Sequence, residues 1–126
     1  MTTFNTFEDI DAWQEARVLI RQIRSICKRP NVRRDYTFVD QITRSARSIA
    51  ANIAEGSETT SNAEFARFLD YAKRSAGEVR AHLYDALDEK YISQNEFNDL
   101  AALTKKIGKM IGALMQYLRG ANASNP

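Results

Sequence analysis

From Phe65 to Leu118 apolar residues return at every third or fourth position, with one break near residue 90. That spacing places them along one stripe of an α-helix and scatters them over both faces of a strand. The first line is Phe65, Phe68, Leu69, Ala72, Ala76, Val79, Leu83, Ala86 and Leu87, and the second is Phe97, Leu100, Leu103, Ile107, Ile111, Leu114 and Leu118. The whole chain of 126 residues holds only 2 Pro and 5 Gly, so little interrupts a helix once it has started. No stretch alternates with the period of a strand. An all-α chain is therefore expected, folded as one domain over residues 1–126.

Start and stop signals divide it into four helices. The first is expected at about 7–28, with Thr6 as cap, acidic Glu8 and Asp9 in the first turn, and a face of Ile10, Trp13, Ala16, Ile20, Ile23 and Cys27 widened by Leu19 and Ile26. Pro30 ends it, because the proline ring does not fit a helix interior. The second is expected at about 36–55, on a narrow face of Ile42, Ala46, Ile49 and Ile53, with Gly56 placed for a left-handed stop. The third, 61–89, opens on a capping box of Ser61 and Glu64. Gly77 inside it marks either a close helix approach or a tolerated accident. The fourth, 93–119, has the box Ser93–Glu96 and the hydrophobic staple Ile92–Phe97, and Gly120 is expected to close it. The tail from Ala121 to Pro126 is small and polar and is expected to fray. Four amphipathic helices with short connections read as an antiparallel up-down-up-down four-helix bundle.

Several function classes find little footing. The segment from Met1 to Asp9 lacks the basic start and apolar run of a secretory signal, and no apolar stretch is long enough to span a membrane. The single Cys27 allows no internal disulfide. A cytoplasmic protein is expected, without membrane contact. His82 is alone, no Cys or His pair has metal-ligand spacing, and no Gly-rich loop follows a strand, so no catalytic residue, metal or cofactor is expected. Cys27 lies on an apolar face, where a thiol more commonly packs than reacts. Glu55 and Glu78 can be imagined as paired carboxylates, but a structural role suits each better.

Two surfaces stand out. The net charge of +2 conceals nine basic residues against two acids between Arg17 and Arg47, and five acids against one base between Asp85 and Asp99. Arg21, Arg24 and Lys28 can share a helix face, and Arg29, Arg33 and Arg34 continue beyond it. Such a group binds phosphate without reading sequence, so RNA or DNA is a candidate ligand; a solvated basic face is the plain alternative. Tyr36 offers a single stacking aromatic. In an up-down bundle the acidic segment shares an end with the basic loop and can neutralise it within one subunit or pair with the next. The second surface is on helix 4. Met110, Ala113 and Tyr117 form an extra line, with Gly108 and Gly112 four apart. It reads as a wide core face or as a subunit interface.

A polar line, Ser45, Ser48, Asn52 and Glu55, runs beside the apolar face of helix 2. Counting back from the helix 2–3 turn puts Arg44 near Glu78, so an Arg44–Glu78 ion pair is expected, with Asn52 and Glu55 making further polar contacts. This motif is read as fixing helix register.

The run Gln41, Arg44, Ala46, Ser48, Ile49, Asn52, Ile53, Ala54, Glu55, Gly56 resembles the hallmark of the four-helix-bundle proteins encoded in intervening sequences of large-subunit ribosomal RNA genes. Phe65, Phe68, Leu69, Ala72, Ser75 and Glu78 extend the likeness, and Trp13, Ala16, Tyr91 and Ile92 suit it. Many relatives carry glycine where this chain has Arg74, which puts local packing there in question. The resemblance implies an up-down-up-down bundle assembled as a homopentameric ring. It also implies similarity in fold to the accessory variability determinant of diversity-generating retroelements, a basic pentamer that binds nucleic acid and its reverse transcriptase. Two functions follow as expectations: a non-enzymatic nucleic-acid-binding accessory protein, partnering a reverse transcriptase, or a structural homo-oligomer that binds protein and not nucleic acid.

Overall fold

A computed structural model describes residues 6–123, with side chains placed as far as residue 120. Among these residues there are four α-helices and no strands. A short 3-10 turn, Phe7–Asp9, precedes α1 (Asp11–Cys27), α2 (Tyr36–Ser57), α3 (Asn62–Asp88) and α4 (Gln94–Ala123). Each helix packs on its neighbours in sequence and α4 returns to α1, which closes a square of four around one core. The centre of that core is Leu19, Ile23, Ile49, Ile53, Leu69, Val79, Leu83, Ile107, Ile111 and Leu118, all essentially without exposed surface.

The chain enters α1 later than the periodicity suggests. The Thr6 backbone N–H donates to the Asp9 carboxylate, at 3.4 Å, and closes the 3-10 turn. Ile10 then stays extended (φ −84°, ψ 116°), which sends its side chain into the core at 3% exposure. The buried face of α1 is consequently Ala12, Ala16, Leu19, Ile23, Ile26 and Cys27, while Trp13 and Ile20 fall to its margins. Trp13 is covered there by Phe7, edge-on at 4.7 Å between ring centres.

Caps set the later helices. Asp35 accepts the Phe38 N–H at 3.2 Å and starts α2, and Ser61 accepts the Glu64 N–H at 3.1 Å and starts α3. At α4 the Ser93 hydroxyl accepts the Glu96 N–H at 3.1 Å while Glu96 accepts the Ser93 N–H at 2.9 Å, and both staple residues, Ile92 and Phe97, are buried. The α3–α4 connection is a Schellman turn: Lys90 N–H bonds Leu87 O at 3.0 Å and Tyr91 N–H bonds Ala86 O at 2.9 Å. Its left-handed position is held by Lys90 (φ 61°), where glycine is the usual occupant.

Two glycines expected as stops are not stops. Gly56 lies inside α2 with ordinary helical backbone and is buried. A Cβ there would meet Phe68 Cβ at 2.8 Å and Phe65 Cδ1 at 2.9 Å, so Gly56 permits α2 and α3 to touch. Gly120 lies within α4, which continues through Ala123; the end of the tail expected to fray, residues 124–126, lies outside the described residues. Gly77 is not a close-approach site either, because a Cβ there would meet nothing within 4 Å. Arg74 points to solvent and pairs with Asp70 at 2.8 Å, so the departure at that position leaves α3 packing intact.

Candidate nucleic-acid interface

The basic surface is built where α1 runs out. Past Cys27 the chain folds into tight turns, with Arg29 N–H to Ile26 O at 3.0 Å, Arg33 N–H to Arg29 O at 2.9 Å and Asp35 N–H to Val32 O at 2.9 Å. Val32 is fully buried and pins the loop to the core, which turns Arg33 and Arg34 outward.

Two side-chain links fasten this loop to the α3–α4 connection. The Arg29 guanidinium donates to the Tyr91 carbonyl at 2.9 Å and to both Glu96 carboxylate oxygens. The Tyr91 hydroxyl donates to Asp35 Oδ2 at 2.6 Å, and its ring lies 5.2 Å from that of Phe38. Together they form a clasp. Arg29, helped by the Ser93 backbone N–H, holds the Glu96 carboxyl down at about 2. Asp35 pushes the Tyr91 phenol up to about 12, with smaller contributions from burial and from the charges of Glu89 and Asp85. The acidic segment therefore lies against the basic loop, as bundle topology requires, and one of the six expected phosphate ligands, Arg29, is turned to Glu96 within the subunit. Arg21, Arg24, Lys28, Arg33 and Arg34 are exposed and have no acidic partner among the described residues.

The polar motif of α2 does tie two helices together, through different residues than expected. Ser75 Oγ donates to Ser48 Oγ at 2.8 Å across the α2–α3 contact, where Ser75 is 6% exposed. Asn52 donates to the Ser48 carbonyl at 2.9 Å and to its Oγ at 3.0 Å. The expected Arg44–Glu78 pair is not formed. Arg44 Nε donates to both oxygens of Asp40, one turn back on its own helix, at 3.1 Å. Both of these side chains are exposed, and a partner four residues away is cheaper to reach than one on another helix. Glu55 is exposed with no bonded partner among the described residues. Arg44 and Glu78 instead face an open polar groove, about 500 Å³, which they line with Gln41, Ser45, Ser48 and His82. The spacing of Ser48 and Ser75 was visible in the sequence; what it lacked was a reason to prefer two hydroxyls over the charged pair beside them.

The extra line on α4 divides. Met110 is half-buried against the core, whereas Ala113 and Tyr117 face outward, Tyr117 at 46% exposure. Met115 and Thr104, absent from the expected face, complete the core stripe, and Thr104 satisfies its buried hydroxyl on the Leu100 carbonyl at 2.7 Å. Cys27 is buried beside Thr43, and burial pushes its thiol up, away from the reactive thiolate. Among the described residues no group of three or more His, Cys, Asp or Glu is placed to hold a metal, and no helix is long and apolar enough to cross a membrane.

The family model described as 23S rRNA-intervening sequence protein matches residues 8–113. A similar solved structure is a protein of unknown function from the S23 ribosomal protein family of Bacteroides thetaiotaomicron. It superposes with a TM-score of 0.75 over 82% of this chain and 97% of its own, at 22% identity, and so shows the fold. A comparison with curated proteins finds no match.

Proposed function

This chain belongs to the 23S rRNA-intervening sequence protein family, and we propose that it acts as a non-enzymatic, self-associating bundle that holds nucleic acid by its phosphates. The observation that carries this reading is the set of five exposed cations, Arg21, Arg24, Lys28, Arg33 and Arg34, left unpaired although an acidic segment meets the same loop through Arg29. The clasp takes up Arg29 and Glu96 and ties the loop backbone to the α3–α4 connection, so less backbone ordering is left to be done when Arg33 and Arg34 bind. Contacts of this kind fix a strand by charge and are indifferent to sequence. Self-association, as a pentameric ring on the resemblance, draws support from the outward Tyr117. Partnership with a reverse transcriptase rests on the resemblance alone.

The test is a salt-titrated binding assay with RNA and DNA, comparing the wild type with Arg24→Glu/Arg33→Glu/Arg34→Glu. Loss of three phosphate contacts is expected to weaken binding more than tenfold at low salt and to flatten the slope of log K against log salt by about 2 for a single strand. Unchanged affinity in a folded variant refutes the patch. No binding by the wild type at low salt leaves the protein-binding scaffold as the function. Sedimentation equilibrium at micromolar concentration tests assembly, and a 14.3 kDa monomer refutes it.

A further inference from the structure

A second basic surface lies on another face of the bundle, in the trough between α3 and α4. The trough encloses about 930 Å³. Its walls carry Lys73 and Arg80 from α3, and Lys105, Lys109 and Arg119 from α4. None of these five has an acidic partner among the described residues. The one acid on the walls, Asp70, is already paired with Arg74 at 2.8 Å. Five like charges converging on one concavity repel each other and raise the local positive potential, which an anion relieves.

The floor says what shape of anion fits. Gly77, Gly108 and Gly112 line it beside the buried Ala76 and Met115. Glycine inside a helix costs stability relative to alanine, and packing usually explains its presence. Here it does not: a Cβ on Gly77 or Gly108 would meet nothing within 4 Å, and one on Gly112 would meet only the Lys73 ammonium at 3.9 Å. Their effect is to leave the trough empty and deep beneath the cations. From Lys105 to Arg119 the α4 wall runs about 21 Å at 1.5 Å per residue. Adjacent helices lie about 8–10 Å apart, so the trough is one chain wide; a duplex reaches only its rims. A two-fold pairing of two troughs would bring five cations against five.

We propose that the α3–α4 trough binds an extended single-stranded phosphate chain, with Lys73, Arg80, Lys105, Lys109 and Arg119 as its phosphate contacts and the three glycines as the space it occupies. This site stands apart from the α1 surface and does not depend on it.

The experiment measures fluorescence anisotropy of labelled oligo-dT and oligo-rU of about 15 nucleotides, and of a duplex of equal length, over a salt series. Two trough variants are used. Lys105→Glu/Lys109→Glu reverses two charges; Gly77→Leu/Gly108→Leu fills the floor and keeps every cation. Arg33→Glu/Arg34→Glu reports separately on the α1 surface. The charge variant is expected to bind single strands at least tenfold more weakly at low salt, with a salt slope shallower by about 1.4. The filled variant is expected to lose at least fivefold for single strands and little for the duplex. Both variants should keep the helical circular dichroism of the wild type, because all four positions face open space. Inorganic polyphosphate as competitor separates the two sources of such a chain. Displacement shows that phosphates alone are read, and resistance shows that nucleotides are needed. Retention of wild-type binding by both trough variants overturns the proposal, even if Arg33→Glu/Arg34→Glu abolishes binding. Altered sedimentation mass with unaltered strand binding also overturns it, and assigns the trough to a second subunit.

Discussion

Replacing Gly56 with alanine should destabilise the bundle, although alanine is the better helix former. The added methyl carbon would sit 2.8 Å from Phe68 Cβ and 2.9 Å from Phe65 Cδ1, against an optimal carbon–carbon separation of about 3.5–4.0 Å. The Phe65 ring is buried at 5% exposure and has little room to swing. Phe68 Cβ is fixed to the α3 backbone, so relief requires α3 to move away from α2. Overpacking of this kind costs about 1–3 kcal/mol, and the helix-propensity gain of about 1 kcal/mol offsets part of it. The net loss is then up to about 2 kcal/mol, or up to roughly 8 °C in Tm for a chain of this size. Gly77→Ala is the internal control: it gains the same propensity and meets no atom within 4 Å, so it should stabilise by about 0.5–1 kcal/mol. Urea melts followed by circular dichroism, at one protomer concentration, compare the two. If Gly56→Ala is as stable as Gly77→Ala, the close α2–α3 approach is not what this glycine serves.

A double-mutant cycle on Ser48→Ala and Ser75→Ala should show a coupling of about 1 kcal/mol, whereas the cycle on Arg44→Ala and Glu78→Ala should be additive; coupling in the second and none in the first would reverse the assignment. Glu96 titrates lower in the folded chain, so its stabilisation is complete above its ordinary value near 4.5 and is lost as pH falls toward about 2. The Arg29–Glu96 pair is more than a third exposed, and solvent screening limits it to about 1 kcal/mol; the stability difference between wild type and Glu96→Gln should shrink over that acid range, and a difference undiminished at pH 2 refutes the pair as its source.

The bundle was legible because helix period and caps act locally. Ser61 with Glu64, and Ser93 with Glu96, name their helix starts from residues three apart, and the apolar lines of α3 and α4 need only counting. What was not legible depends on which atoms meet across helices. Gly56 looks like a stop in sequence, and only the position of Phe65 and Phe68 makes it a contact point. Ile10 belongs to the apolar period of α1, yet the Thr6–Asp9 turn holds it extended. Arg44 had two acids within plausible reach, and competition between a same-helix and a cross-helix partner is not written in spacing. The charge pattern marks a basic stretch, but only the placement of Glu96 shows that Arg29 is taken up within the subunit. The trough cations are spread from residue 73 to 119, so no local run of charge marks them.

The clasp also has a consequence for the order in which the chain folds. Helices adjacent in sequence form hairpins whose contacts close short loops, which favours rapid assembly. The clasp instead joins residues 56, 62 and 67 positions apart, and its bonds form only when the loop ends of the α1–α2 and α3–α4 hairpins have met. Interactions made after the rate-limiting step leave the folding rate alone and slow the reverse reaction. A clasp that closes after the rate-limiting step acts chiefly on lifetime: in a chevron plot Glu96→Gln should raise the unfolding limb and leave the refolding limb in place, and a slowed refolding limb would put the clasp in the folding nucleus. Through the Arg29–Glu96 and Tyr91–Asp35 links the basic loop is held at two points for as long as the clasp stays closed.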